Sequence, residues 1–235
     1  MVNTLETITM EIFRARLRGM MLEAEALRPA PIRVQDDVGD TLDNIMALIR
    51  SAFAQVYPAY RINNMATDQG VDINEFNTRD MTRVLGSIVG TDVFLAEPWL
   101  KPQLGMFIKA NVDLITSIPT QALSQVETTV MSSVRIGARV EELAKEIQGR
   151  FDVSKARAEL IARDQTSKFN GELTKLRQTE AGINKYRWAT SNDERVRESH
   201  QALEGRVFSW DDPPSVGHPG DDYQCRCVAI PIFEE

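Results

Sequence analysis

The spacing of apolar residues changes once along this chain, near Gly182, and that change constrains the fold more than any other feature. Before it, apolar side chains recur every three or four residues, the period of one helix face. After it, short runs alternate: Tyr186-Arg187-Trp188-Ala189, Arg206-Val207-Phe208-Ser209-Trp210 and Cys227-Val228-Ala229-Ile230-Pro231-Ile232. Alternation is the mark of a half-buried strand. The expectation is an α+β chain, a mostly helical body with a small C-terminal antiparallel β-sheet module. Pro231 cannot donate to a ladder on both sides, which puts the last strand at an edge.

The helical part divides at its breakers. Asn3 and Glu6 form a capping box, and Ile8, Ile12, Leu17 and Met20 follow on one face toward Pro29. A Pro- and Asp-rich linker covers 29–40, and a second helix runs from about Asp40 to Tyr57 with Leu42, Ile45, Leu48, Ile49, Phe53 and Val56 inward. Gly70, Gly86, Gly90, Pro98, Pro102 and Gly105 break 61–105 into short helices and turns. From Met106 the pattern predicts a helix closed by Pro119, another to about Gly137, and a short one stopped by Gly149. Ser154 then caps a long helix to about Glu180 with Ala158, Ile161, Ala162, Phe169, Leu173 and Leu176 inward, and Gly182 ends it with Ile183 packing back. Asn192 caps a short helix, Asp193 to Leu203, ended by Gly205.

Composition excludes several classes. With 43% hydrophobic residues the chain buries a real core. A net charge of -7 argues against a general nucleic-acid coat, though not against a local basic face. No apolar run approaches the roughly 20 residues that span a bilayer, so no membrane partner is expected. The acidic start, Met1 to Glu6, lacks the apolar stretch of a signal peptide. Two cysteines one residue apart would close only a strained disulfide, which points to a reducing compartment such as a bacterial cytoplasm.

The chain has two histidines and two cysteines, and all four fall in one stretch: His200, His218, Cys225 and Cys227. Together they make a tetrahedral Cys₂His₂ set, the donor chemistry of a closed structural zinc. Cys225 and Cys227 at i and i+2 share a strand face. The same residues also read as a metal-free, hydrogen-bonded knot, with the cysteines as small buried hydrophobes, and this plainer reading is the stronger one. Deaminase spacing is absent: His200 is followed by Gln201-Ala202, and the cysteines are one residue apart. Three ligands with a nearby carboxylate such as Asp221 would instead suit catalysis.

Tyr186-Arg187-Trp188, the run Asp193 to His200, Leu203-Glu204-Gly205, His218-Pro219, Cys225-Arg226-Cys227 and Pro231 together resemble the phage Mu F-like minor head protein family, the phage head morphogenesis domain. Ile161 to Thr166 and Asn111 to Ile115 extend the resemblance to roughly 107–232. Five residues, Gly220 to Gln224, lengthen the usual gap between His-Pro and Cys-Arg-Cys. The resemblance divides the chain into an unassigned N-terminal helical region, 1–105, and a head morphogenesis domain, 106–235, made of helices at 106–181 and an α+β module at 183–235. It implies a non-enzymatic minor capsid protein in the virion, near the portal or head interior. Its partners would be portal or major capsid proteins and packaged DNA, and it would assist head assembly or DNA packaging and ejection.

Two rival readings come from the residues. One is a metal-dependent enzyme acting on nucleotides or nucleic acid through the His/Cys cluster. The other is a DNA clip on the 155–187 face, with Lys155, Lys168, Lys175 and Arg177 as contacts, against which a solvated helix face is the plain alternative. Arg163, Arg195, Arg197 and Gly205 belong to the family-like motif. The arginines are expected to pair internally, with Asp193, Glu198 or Asp211.

Overall fold

In the computed structural model, residues 4, 6–11, 33–86, 97–136 and 140–233 are described. Four long helices dominate: α1 (Arg33–Val56), α2 (Ala59–Leu85), α3 (Leu100–Ile136) and α4 (Val140–Glu180). They are followed by β1 (Lys185–Ala189), the single turn α5 (Glu198–Gln201), β2 (Val207–Ser209) and β3 (Val228–Ile232). The chain is α+β, with a small three-stranded antiparallel sheet at the C-terminus. No helix among the described residues is long and apolar enough to cross a membrane.

The helices are longer than their breakers suggest. Pro119 lies inside α3. Thr116, Ser117 and Thr120 hydroxyls bond the carbonyls of Val112, Leu114 and Thr116 around it, so the backbone near the missing N–H is held by side chains. Gly149 sits within α4 and does not stop it. A glycine there costs about 1 kcal/mol against alanine, which the burial of Leu143, Ile147 and Phe151 on that helix outweighs. Ser154, expected as a cap, is mid-helix and bonds the Arg150 carbonyl at 2.9 Å. Gly70, expected as a break, is inside α2, where a Cβ would lie 3.1 Å from the Phe107 ring. Helix α1 is described from Arg33, within the expected linker. The first expected helix beyond residue 11, and Met20 with it, fall outside the described residues, as do 87–96.

The chain forms two compact units, Met1–Asn64 with Val112–Glu159, and Met65–Asn111 with Leu160–Glu235. In the first, Leu42, Ile45, Met46, Ile49 and Phe53 are buried on α1, while Leu48 and Val56 are exposed. Ile118, Leu123, Val126 and Val130 are buried on α3. Lys155 pairs with Glu6 at 2.6 Å, and Arg50 with Glu127 at 2.9 Å.

In the second unit, the buried face of α4 carries polar groups where an apolar stripe was expected. Phe169 and Leu173 are buried, but Ala162 is exposed, and Asp164, Thr174, Arg177 and Gln178 are buried instead. The Arg177 guanidinium takes both Glu97 oxygens, at 2.7 and 2.8 Å, and donates to Asn77 Oδ1 at 2.6 Å and Asn74 Oδ1 at 2.8 Å. A buried charge needs such saturation. Phe107 stacks on Phe169 with centroids 4.3 Å apart, beside Ile73 and Leu173. Helix α4 ends in a Schellman turn: Gly182 has φ +75°, its N–H bonds Thr179 O, and Ile183 N–H bonds Gln178 O. Ile183 then buries beside Met81 and Leu85.

The sheet order is β2-β1-β3, so β3 is an edge strand, as Pro231 requires. Tyr186 lies opposite Phe208 and Pro231, and Trp188 opposite Ala229. Tyr186, Trp188, Trp210, Leu203, Cys225, Cys227 and Ala229 form the module's core. Gln178 ties it to α4, donating to Ala229 O at 2.9 Å and accepting from the Trp210 indole at 3.2 Å.

Candidate metal centre

Three of the four rare residues meet. His200, Cys225 and Cys227 are buried, and their ligating atoms lie within 4.8 Å of one another. His200 Nδ1 is 3.6 Å from Cys225 Sγ and 3.5 Å from Cys227 Sγ. A tetrahedral zinc about 2.3 Å from sulfur and about 2.0–2.1 Å from nitrogen separates those atoms by about 3.6 Å. The observed edges match that figure.

Each ligand is placed by a local feature. The expected helix from Asp193 to Leu203 contracts to α5, because Asn192 takes φ +52° and does not cap, and Asp193 instead accepts the Arg195 N–H at 2.9 Å. His200 rides on that single turn, its ring edge-on to Trp188 at 5.4 Å. Its other nitrogen, Nε2, lies 3.1 Å from Asp222 Oδ2, and the same oxygen takes Arg197 at 2.9 Å. A carboxylate on Nε2 fixes the proton there and leaves the Nδ1 lone pair facing the sulfurs, the arrangement that orients metal-binding histidines.

The cysteines lie on an extended segment just before β3, buried on either side of exposed Arg226. Gln224 turns the chain into that segment with φ +55°, a conformation non-glycine residues rarely take. It is held by Asp164 Oδ1, which accepts the Gln224 N–H at 2.7 Å, and by Leu160 O, which accepts its side-chain amide at 2.7 Å. The Cys225 thiol is held well below its usual range by the Cys227 thiol donating to it, with help from the Gly220 N–H at 3.4 Å. Cys227 is pushed up by that same bond and by burial. The buried Trp188 indole N–H has no conventional acceptor, and its contact with Cys227 favours the thiolate. These donors suit metal-bound sulfur.

His218 is not part of the group, and this corrects the expected four-ligand set. Its Nδ1 is 2.9 Å from the Tyr186 hydroxyl, and its ring packs on Trp210 at 4.9 Å. Burial and nearby Lys175 hold its pKa below the usual value, while burial and Asp221 push Tyr186 up beyond its own, so the phenol donates to a neutral imidazole. The reason lies in the loop: Pro219 and Gly220 press against α4 at Gly171, where a Cβ would stand 2.7 Å from Pro219 O. Asp221, the carboxylate a catalytic reading needs, accepts the His218 backbone N–H at 2.7 Å instead.

The three ligands border a cavity of about 640 Å³. Arg163, Arg195, Arg197 and Arg226 line it, and among the described residues no carboxylate does. Arg197 pairs with Asp222, which corrects the expected partners, and Arg226 with Asp193 at 2.6 Å. Gly205 sits outside the cavity at φ +73°, its N–H bonding Trp188 O. The expected DNA contacts are placed otherwise. Arg177 is buried, Lys155 and Lys168 pair with Glu6 and Asp164, and Lys175 neighbours His218. Sequence reasoning missed Asp164, Gln178 and Asp222 as supports. Their only signal was position, polar residues where the helix period asks for apolar ones or in a loop next to the cysteines.

The family model described as Phage Mu protein F like protein matches residues 124–230, just under half of the chain. An uncharacterized protein of Haemophilus influenzae (strain ATCC 51907 / DSM 11121 / KW20 / Rd) is 41% identical over 138 residues, which cover 58% of this chain and 31% of that relative. The chain thus spans about a third of the length of the curated relative it matches. No solved structure matches.

Proposed function

We propose that this chain, whose residues 124–230 carry a Phage Mu protein F-like domain, is a non-enzymatic minor head protein that docks on the portal or inner procapsid and assists head assembly or DNA packaging and ejection. The family match is the observation that carries this reading, since it supports a phage head protein. On this reading the protein resides in the virion, and in the host cytoplasm during assembly. The His200, Cys225 and Cys227 group would hold a structural zinc that clamps β3 to the α5 turn, making the module a rigid knob. A three-stranded sheet this small gains most from such a clamp.

The metalloenzyme alternative draws on the same three ligands, which leave a fourth position toward the cavity. Against it stands the cavity wall, where none of the described residues is a carboxylate placed to take a proton from a bound water. The test is co-expression with the portal and capsid genes of the same phage. Recovery of the chain with portal or procapsids, and in finished virions, supports the reading. Its absence from both sinks it.

A further inference from the structure

The cavity beside the three ligands has an unusual wall for a chain of net charge -7: among the described residues, four guanidiniums and no carboxylate. We infer that this cavity is a phosphate-binding site, with Arg195, Arg197 and Arg226 as its donors and the Ser167 hydroxyl on its helical wall. The inference stands apart from both portal docking and metal binding.

The argument rests on fixed donors. Guanidinium presents five N–H groups in a planar fork that matches a tetrahedral oxyanion. Arg226 spends one on Asp193 Oδ1 at 2.6 Å. Arg197 spends one on Asp222 Oδ2 at 2.9 Å and one on Tyr223 O at 2.6 Å. Both side chains are therefore held in position while most of their donors remain available. Arg195 has only its backbone N–H engaged among the described bonds, to Asp193 Oδ1 at 2.9 Å. The same carboxylate thus anchors the backbone of one arginine and the side chain of another. Three like charges gathered at one cavity repel each other, and two carboxylates behind the wall offset that only in part. A dianion inside the cavity relieves the rest. Phosphate suits this better than a carboxylate ligand, because several forks converge and each asks for its own oxygen pair.

The probe is inorganic phosphate, titrated calorimetrically into the full chain at constant ionic strength set with chloride. Saturable binding is expected, weakened about tenfold in Arg195→Gln and in Arg226→Gln. Arg206→Gln serves as the control, since Arg206 lies over the Phe208 ring and not on the cavity wall. It removes the same charge and should leave binding unchanged. A thermal melt of each variant establishes that it folds, and either cavity variant alone suffices for the comparison. A short DNA duplex that displaces phosphate identifies a nucleic-acid backbone as the source, and no displacement identifies free phosphate. Absence of saturable binding, or equal weakening in the cavity variants and Arg206→Gln, overturns the inference.

Discussion

The two histidines of the C-terminal module are equally rare in sequence and nearly equally buried, yet their corners are built to opposite ends. At His200 a carboxylate occupies the outer ring nitrogen, so the inner one is free for the sulfurs. At His218 a phenol occupies Nδ1, and two aromatic rings close round the imidazole. The difference lies in what the neighbours leave unsatisfied. One corner gathers an imidazole nitrogen and two thiols within reach of one cation, with the Trp188 indole N–H beside Cys227 favouring its thiolate. In the other, the lone pair already has its donor.

Removing a ligand should give the largest separation between the corners. Protein purified without a polyhistidine tag should carry about one zinc per chain by elemental analysis. Cys225→Ser should lose that zinc and on the order of 5 kcal/mol of stability in denaturant unfolding. His218→Phe should keep the metal. Equal zinc content in wild type and Cys225→Ser would erase the contrast. A smaller effect tests the link between the corners. Gly171→Ala sets a methyl against Pro219 O, and the loop beyond it bears both His218 and the Gly220 N–H on Cys225. The expected cost is up to about 3 kcal/mol, with the His218 and cysteine signals both shifting in NMR spectra. A shift at only one would show that the corners are independent. Smaller again is Asp222→Asn, which alters the group behind His200 without touching a ligand. Zinc affinity in competition with a chelator should fall about tenfold.

How legible these corners were follows from the type of signal. The Gly182 stop and the strands after it were readable, because glycine at a left-handed position and period-two alternation have one local cause each. Pro119, Gly149 and Gly70 were misread as breaks. Their local penalties of about 1–3 kcal/mol are smaller than what a long helix buries. The cysteines and His200 were found by rarity. Which histidine joins them was not readable, because ring orientation is set by Asp222 on one side and by Gly171 and Tyr186 on the other, contacts distant in sequence. Asp164, Arg177 and Gln178 were hidden by the assumption that a buried helix face is apolar.

The smallest expected effect is the pH response of the second corner, and it has two edges. His218 is held below its ordinary 6.5, by burial first and then by Lys175, with Asp221 and a backbone bond opposing. The unfolded chain therefore takes up this proton before the folded one. Stability from His218 is complete above about pH 6.5 and drains as pH falls through the lower folded value. Tyr186 is held above its ordinary 10.0 by burial and then Asp221, so its share is complete below about pH 10 and is lost as pH rises further. Burial of one hydrogen-bonded pair thus acts on both sides of a plateau. The measurement is denaturant stability against pH for wild type, His218→Phe and Tyr186→Phe, taken as differences so that the cysteines and the metal cancel. The difference for His218→Phe should shrink below pH 6.5, and that for Tyr186→Phe should shrink above pH 10. A difference for His218→Phe that grows on acidification would mean that the imidazole is charged in the folded chain, and the two corners would then be alike in kind.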